Sequence, residues 1–162
     1  MFGHKKKAMA AAGSKAPNFE LTGLDGAQHS LDEILERGPA LFVFYKVSCP
    51  VCQLTAPYLE RLKPSQSLQV IGISQDDAES TRHFNQRFGV TFPTLVDPDG
   101  KDYPASNAYG ISSVPSLFVV EPGGAISTAF NGFSKRDLEA LGQRAGVEMF
   151  KAAEQVPEWK AG

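Results

Sequence analysis

The chain has 162 residues, of which 42% are apolar and 21% are charged, and its formal net charge is −2. This length suits one domain with a closed hydrophobic core. The near-neutral charge gives no reason to expect nucleic acid or an anionic membrane as the main partner, and no apolar run approaches the roughly 18–20 residues that span a bilayer.

The first residues are basic at Lys5, Lys6 and Lys7 and then small. A secretory signal needs an apolar core of about 7–15 residues after the charges, and this stretch does not supply one. We therefore expect residues 1–14 to form a flexible arm, and we expect a cytoplasmic protein. Residues 15–152 are predicted to form the folded domain, and residues 153–162 an irregular tail.

Strand-like and helix-like segments alternate from Pro17 onward. We predict a short hairpin turning at residues 23–26, a short helix over 31–36, and a strand buried on both faces at 40–45, where every residue is apolar. Apolar residues at three- and four-residue spacing predict an amphipathic helix from Pro50 to about Leu62. Pro57 should kink that helix because it lacks an amide donor.

The second half of the chain continues the alternation. We predict a buried strand at 68–73, a helix that begins after Asp77 and ends at Gly89, and a strand fragment at 94–96. Strands at 116–120 and 125–130 should form an antiparallel hairpin. Ser134 should cap a last helix, whose apolar face reaches Met149 unless Gly146 ends it earlier. This order predicts an α/β sandwich with a mixed central sheet.

The chain has only two cysteines, Cys49 and Cys52. Closing so small a ring stabilises a fold by only about 2 kcal/mol, against about 3 for a 15-residue loop, which favours a reversible bond. Cys49 lies between a predicted strand and a helix, where free amides and the helix dipole stabilise a thiolate. Pro50 suits the first helical position. We predict that Cys49 is the exposed nucleophile and that Cys52 resolves the mixed disulfide.

Other interpretations of this pair remain open. A zinc site needs two further ligands at matching spacing, and His4, His29 and His83 form no paired motif, so we expect no metal. A structural role for a chance pair of cysteines is a second alternative. Lys46 would support the thiolate if its side chain turned towards Cys49; otherwise it is a solvated lysine.

Two segments resemble the thioredoxin superfamily. Phe42-Val-Phe-Tyr-Lys-Val-Ser-Cys49-Pro-Val-Cys52, followed by Ala56-Pro57, is similar to its active-site strand, CxxC motif and kinked helix. Ser113-Val114-Pro115-Ser116 is similar to the segment that carries its cis-proline. The resemblance implies a cis bond before Pro115 and a Val114 backbone that pairs with a bound substrate. A trans-proline turn remains the alternative, since cis bonds are confined to X–Pro but not required there.

The opening segment 16–21 and the middle section 72–93, from Gly72-Ile-Ser-Gln-Asp76 through Phe92-Pro93, resemble the redoxin branch, which holds TlpA-like oxidoreductases and AhpC/TSA proteins. This implies a three-layer α/β/α sandwich with an N-terminal hairpin and an extra strand–helix insertion. It also implies a thiol–disulfide oxidoreductase with antioxidant and redox-homeostasis roles. We expect a monomer without a cofactor, which exchanges with a protein or small thiol or disulfide and with an electron donor or acceptor that the sequence does not identify.

The chain departs from the patterns of these relatives at several positions. Many relatives carry a tryptophan where this chain has Ser48. Thioredoxins have a buried aspartate at the position of Val43, and TlpA-like proteins often have a glutamate at that of Thr55. No motif therefore supplies a carboxylate for the proton of Cys52, which leaves water or a side chain from elsewhere, such as Glu20.

A peroxiredoxin-like thiol peroxidase is the alternative function. Peroxidase relatives use a Pro-x-x-x-Thr-x-x-Cys motif to polarise the O–O bond. Phe42 and Lys46 stand at its proline and threonine positions. The sequence thus favours dithiol–disulfide exchange over peroxide reduction.

Overall fold

The structure is a computed structural model that describes residues 8–162. The larger strands are β1 (Glu20–Gly23), β2 (Gln28–Ser30), β3 (Ala40–Tyr45), β4 (Gln69–Ser74), β5 (Thr94–Val96), β6 (Ser116–Val120) and β7 (Ile126–Asn131), and the short ones are β8 (Phe133–Ser134) and β9 (Trp159–Lys160). The helices are α1 (Leu31–Leu35), α2 (Pro50–Glu60), α3 (Ala78–Phe88), α4 (Pro104–Ala108) and α5 (Lys135–Ala145), with a 3-10 turn at Asp99–Lys101. None of the helices described is long and apolar enough to cross a bilayer.

Seven strands form one mixed sheet in the order β2-β1-β5-β4-β3-β6-β7. The central strand β3 runs parallel to β4, with Phe42 opposite Ile71, and antiparallel to β6, with Phe42 opposite Phe118. Strand β1 pairs antiparallel with both β2 and β5, which attaches the N-terminal hairpin to the sheet. The mixed sheet and the N-terminal hairpin are both confirmed.

Helices cover both faces of this sheet. On one face, α2, α3 and α5 pack against alternate residues of β3 and β6, including Leu41, Val43 and Leu117. On the other face, α1 and α4 pack against Phe42 and Phe118. The three-layer α/β/α sandwich is therefore confirmed, and the parallel crossover from β4 through α3 to β5 supplies the extra helix and strand before Pro115.

The helix boundaries follow the predicted capping residues. Asp77 caps α3 by accepting a 2.7 Å hydrogen bond from the Ser80 amide, and Gly89 ends it in the left-handed region at φ +70°. Gly146, at φ +71°, ends α5 at Ala145. Met149 is buried but lies beyond the helix, because the chain turns at Gly146 and returns to the core.

The predicted flexible arm differs from the structure where it is described. The Ala10 amide donates to the Tyr109 carbonyl at 2.9 Å, and the Gly13 amide donates to the Ile126 carbonyl at 2.8 Å. Residues 8–14 therefore lie against the domain through backbone bonds, which a run of small residues does not reveal in the sequence. The basic residues Lys5, Lys6 and Lys7 lie outside the described residues.

The tail after residue 152 is not irregular throughout. Its last strand, β9, pairs antiparallel with β8, and Ser134 lies opposite Trp159. Trp159 is 58% exposed, so the strand is held by its backbone rather than by an apolar side chain. Two residues without a buried side chain leave no periodic pattern in the sequence.

Phe118→Ala should destabilise the domain by about 3–5 kcal/mol, the usual range for removing a buried phenylalanine. Phe118 is fully buried and packs edge-on against Phe44 and Tyr109, so truncation leaves a cavity between the sheet and α4. Urea unfolding measures the loss. Arg136→Ala, at an exposed helix position, is the control and should change stability by less than about 0.5 kcal/mol; a loss at Phe118 no larger than this would contradict the prediction.

Candidate active site

Cys49 is the N-cap residue of α2, directly after the loop that follows β3. Its sulfur accepts a 3.1 Å hydrogen bond from the Cys52 amide, and Pro50 occupies the first turn, where no amide donor is needed. Cys49 is half-buried. A sulfur at this position faces the unpaired amides of the helix end.

Cys52 lies one helical turn further on and is only 2% exposed. Burial raises the pKa of its thiol well above the ordinary value, and the hydrogen bond with Cys49 and the negative charge of Asp76 act in the same direction. Cys52 is therefore a neutral thiol at pH 7. The two cysteines thus differ in exposure, since Cys49 is half-buried and Cys52 is buried.

The loop before β6 lies opposite Cys49. The peptide bond between Val114 and Pro115 is cis, as the resemblance implied. The Cys49 thiol donates to the Val114 carbonyl at 3.3 Å. Val114 is half-buried and Pro115 is buried. Two residues 65 positions apart in the chain are thus brought into contact.

Asp76 is a site residue that the sequence analysis did not assign. Strands β3 and β4 run parallel and end together, with Tyr45 opposite Ser74. The Asp76 carboxylate follows β4 and accepts a 2.8 Å hydrogen bond from the Val47 amide in the loop before Cys49. Burial is the main cause of the raised pKa of Tyr45, and the negative charge of Asp76 contributes to it as well. Because parallel neighbouring strands end at the same edge of a sheet, pairing of β3 with β4 would have placed Asp76 beside the loop that leads to Cys49.

A narrow apolar crevice lies beside Cys52. Val43 and Thr55, the positions at which relatives carry acids, both line it. The Thr55 hydroxyl donates to the Val51 carbonyl at 2.6 Å. Glu20, considered above as a proton acceptor, is exposed on β1, which β5 and β4 separate from β3. Asp76, by contrast, binds the loop before Cys49, and its negative charge is among the causes that raise the pKa of the Cys52 thiol.

The residues predicted to support the site take different positions. Pro57 lies inside α2, on its exposed side, and the helix continues past it to Glu60. The Lys46 side chain is exposed, and its carbonyl accepts from the Cys49 amide at 3.3 Å. Among the residues described, the Lys46 ammonium makes no ion pair or hydrogen bond, so Lys46 contributes through its backbone.

Within residues 8–162, no three His, Cys, Asp or Glu side chains gather in a way that could hold a metal ion. The chemistry that the site presents is that of two thiols of unequal exposure. The outer sulfur accepts a hydrogen bond from an amide of the helix N-terminus, while burial protects the inner one. Such a pair can alternate between a dithiol and a disulfide.

A mixed sheet that presents a CxxC helix beside a cis-proline loop is the arrangement of a thioredoxin-fold oxidoreductase. The chain belongs to the AhpC/TSA family, whose family model matches residues 12–129. Both the fold and the family implied by the sequence are thus confirmed.

Known proteins similar to this chain include thiol-disulfide oxidoreductases and a peroxidoxin. The thiol-disulfide oxidoreductase ResA of Geobacillus kaustophilus is 31% identical over 140 residues, which cover 83% of this chain and 78% of that protein. The thioredoxin domain of a thiol-disulfide oxidoreductase from Bacteroides vulgatus superposes with a TM-score of 0.72 at 21% identity, covering 83% of this chain and 97% of that one. Peroxidoxin BcpB of Mycobacterium tuberculosis superposes with a TM-score of 0.68 at 20% identity, covering 83% and 93%. The two structures support the fold, and the ResA relative supports the oxidoreductase class.

Proposed function

We propose that this chain catalyses thiol–disulfide exchange with protein substrates, with Cys49 as nucleophile and Cys52 as resolving thiol. The observation that supports this proposal is the difference in exposure between the two sulfurs. Cys49 is half-buried at a helix N-terminus, where its sulfur accepts a 3.1 Å hydrogen bond from the Cys52 amide. Cys52 is only 2% exposed. Only the outer sulfur is placed to meet a substrate.

The reaction proceeds in two balanced steps. The Cys49 thiolate attacks one sulfur of a substrate disulfide, which forms a mixed disulfide and releases the other sulfur as a thiolate. Cys52 then loses its proton and attacks the Cys49 sulfur, which releases the second substrate thiolate. The substrate gains two electrons and is released as a dithiol, while Cys49 and Cys52 end the cycle joined in a disulfide. A donor dithiol restores it, and the reverse sequence oxidises a substrate dithiol.

Val114 and Pro115 serve this reaction as the backbone docking site. The Val114 carbonyl lies 3.3 Å from the Cys49 sulfur, so an extended segment that pairs with it holds its own sulfur beside Cys49. Pro50 takes the first position of α2, where its missing amide costs no helical hydrogen bond. The chain works as a monomer in this proposal, since every group in the two steps comes from one copy.

Equilibration of the protein in glutathione buffers tests this function. We expect a single two-electron transition between the dithiol and the Cys49–Cys52 disulfide. Thiol alkylation and mass spectrometry measure the fraction of each form. A midpoint near about −270 mV would assign a reductant, and one near about −120 mV an oxidant. A protein that forms no internal disulfide at any glutathione ratio would contradict the proposal.

Peroxide reduction is a second candidate, because the AhpC/TSA family includes thiol-specific antioxidant proteins and the fold is shared with a peroxidoxin. Among the described residues, the hydrogen-bond donor to the Cys49 sulfur is the Cys52 amide alone. Polarising an O–O bond needs several donors around the thiolate. Hydroperoxide consumption that depends on Cys49 and is faster than disulfide exchange would make peroxide reduction the first candidate and disulfide exchange the second.

A further inference from the structure

The last residues of the chain lie at the active site. In β9, Lys160 lies opposite Phe133 and Trp159 opposite Ser134, so the tail adds a strand to β8. The Lys135 amide also donates to the Glu158 carbonyl at 3.0 Å. Backbone pairing thus carries the chain across the edge of β8 towards the cis-proline loop.

Gly162 covers the carbonyl oxygen that faces Cys49. A Cβ placed on Gly162 would lie 2.1 Å from the Val114 oxygen and 2.8 Å from the Val114 carbonyl carbon. The backbone therefore approaches this carbonyl more closely than any side chain would allow. The same oxygen is 3.3 Å from the Cys49 sulfur, so whatever covers it also narrows access to the sulfur.

Gly132 joins the tail to the loop. Its amide donates to the Pro115 carbonyl at 2.9 Å, and a Cβ at this position would lie 2.5 Å from the Lys160 oxygen. Its φ of +75° also favours glycine. The tail, Gly132 and the cis-proline loop therefore form one continuous backbone contact.

The end of the tail is held weakly, while its beginning is anchored. Arg61 makes two 2.7 Å hydrogen bonds to the Glu154 carboxylate and one to the Met149 carbonyl, and Val156 packs against the core. Beyond Val156, Trp159 is 58% exposed, and a ladder of two residues is marginal on its own. Residues 157–162 can therefore leave while the anchored part stays.

We propose that residues 157–162, here called the cover segment, are a displaceable lid that a protein substrate must replace to reach Cys49. The inference rests on the proposed function, because it assigns the cover segment to the docking site of that reaction. The segment is held by strand pairing and backbone contact, so its replacement is an extended peptide that makes the same contacts. A small disulfide needs no backbone pairing and can reach the sulfur past the segment.

Three variants test the lid: removal of residues 157–162, Gly162→Val, and Ala161→Val as the matched control at the exposed neighbouring position. A valine at Gly162 collides with the Val114 carbonyl and lifts the segment without shortening the chain. With insulin as substrate, the first two variants should raise kcat/KM about fivefold, because a larger fraction of molecules is open to the substrate. Ala161→Val should match the unchanged protein, and rates with 2-hydroxyethyl disulfide should change by less than about twofold in all three.

A second measurement does not depend on turnover. Cys49 of the reduced protein should react with a polyethylene glycol maleimide about threefold faster or more once the segment is removed or lifted, with little change for iodoacetamide. Unchanged maleimide and insulin rates in both open variants would overturn the lid alone. Absence of exchange with either disulfide in every variant, together with the faster maleimide reaction, would overturn the proposed function and leave the lid supported.

Discussion

Cys49→Ser should abolish exchange, whereas Cys52→Ser should stop it after the first step. A serine hydroxyl at Cys49 is no nucleophile towards a disulfide at neutral pH, and the remaining Cys52 is 2% exposed with its pKa raised by burial. Turnover of Cys49→Ser should therefore fall to the uncatalysed rate. In Cys52→Ser the outer thiolate remains, but no internal thiol releases the substrate, so a mixed disulfide accumulates in place of turnover.

Mass spectrometry of the quenched reaction measures this difference. Cys52→Ser should gain the mass of one substrate thiol per protein, and Cys49→Ser should gain none. Ser48→Ala, at the exposed position next to Cys49, is the matched control and should turn over as the unchanged protein does. If Cys49→Ser formed the adduct and Cys52→Ser formed none and did not turn over, the two roles would have to be exchanged.

Much of the fold could be predicted because its signals are local. Strand β3 is one apolar run buried on both faces, and α3 is bounded by a capping Asp77 and a left-handed Gly89. The CxxC pair is local as well, since its position between β3 and α2 follows from a dozen consecutive residues. Features of this kind are visible in the sequence without knowledge of what the chain packs against.

The elements that could not be predicted depend on distant partners. Helix α4 has five residues, too few for a periodic pattern, and begins where the buried Asp97 carboxylate accepts the Ala105 amide at 2.9 Å and the Ser106 amide at 2.7 Å. Strand β9 exists because β8 offers an open edge. Neither interaction can be recognised before the fold has brought the partners together.

The same distinction separates the site residues. Cys49, Cys52 and Pro115 each lie in a recognisable motif, and the structure brings them together. Asp76 lies in no motif of its own, because its contact with the Val47 amide depends on the parallel pairing of β3 with β4. Val43 and Thr55 carry no acid, and the carboxylate of Asp76 follows the end of the neighbouring strand β4.

Asp76→Asn should slow the second step and make it more sensitive to pH. The Cys52 thiol must lose its proton as it attacks, and the Asp76 charge already acts on that thiol. A carboxylate so placed can accept the proton through water. Asparagine can still accept the Val47 amide but cannot take a proton. Release of the mixed disulfide should therefore slow about 10²-fold at pH 6, while attack by Cys49 is unchanged.

The direction of the pH effect follows from the two actions of Asp76. Its negative charge adds to the raised pKa of Cys52, so its removal also makes the Cys52 thiolate easier to form as the pH rises. The rate at which Asp76→Asn releases the mixed disulfide should therefore rise about tenfold per pH unit until it equals that of the unchanged protein. Stopped-flow measurement of both steps from pH 6 to 9 records this convergence.

Asp77→Asn is the matched control for this prediction, because it makes the same change one residue further on, at an exposed position. Asparagine caps a helix about as well as aspartate, so α3 should remain and both steps should keep their rates. A merely structural role for Asp76 would lower both steps by a similar factor at every pH. Parallel pH profiles in Asp76→Asn and the unchanged protein would therefore contradict proton transfer, whereas convergence at high pH would place Asp76 in the second step.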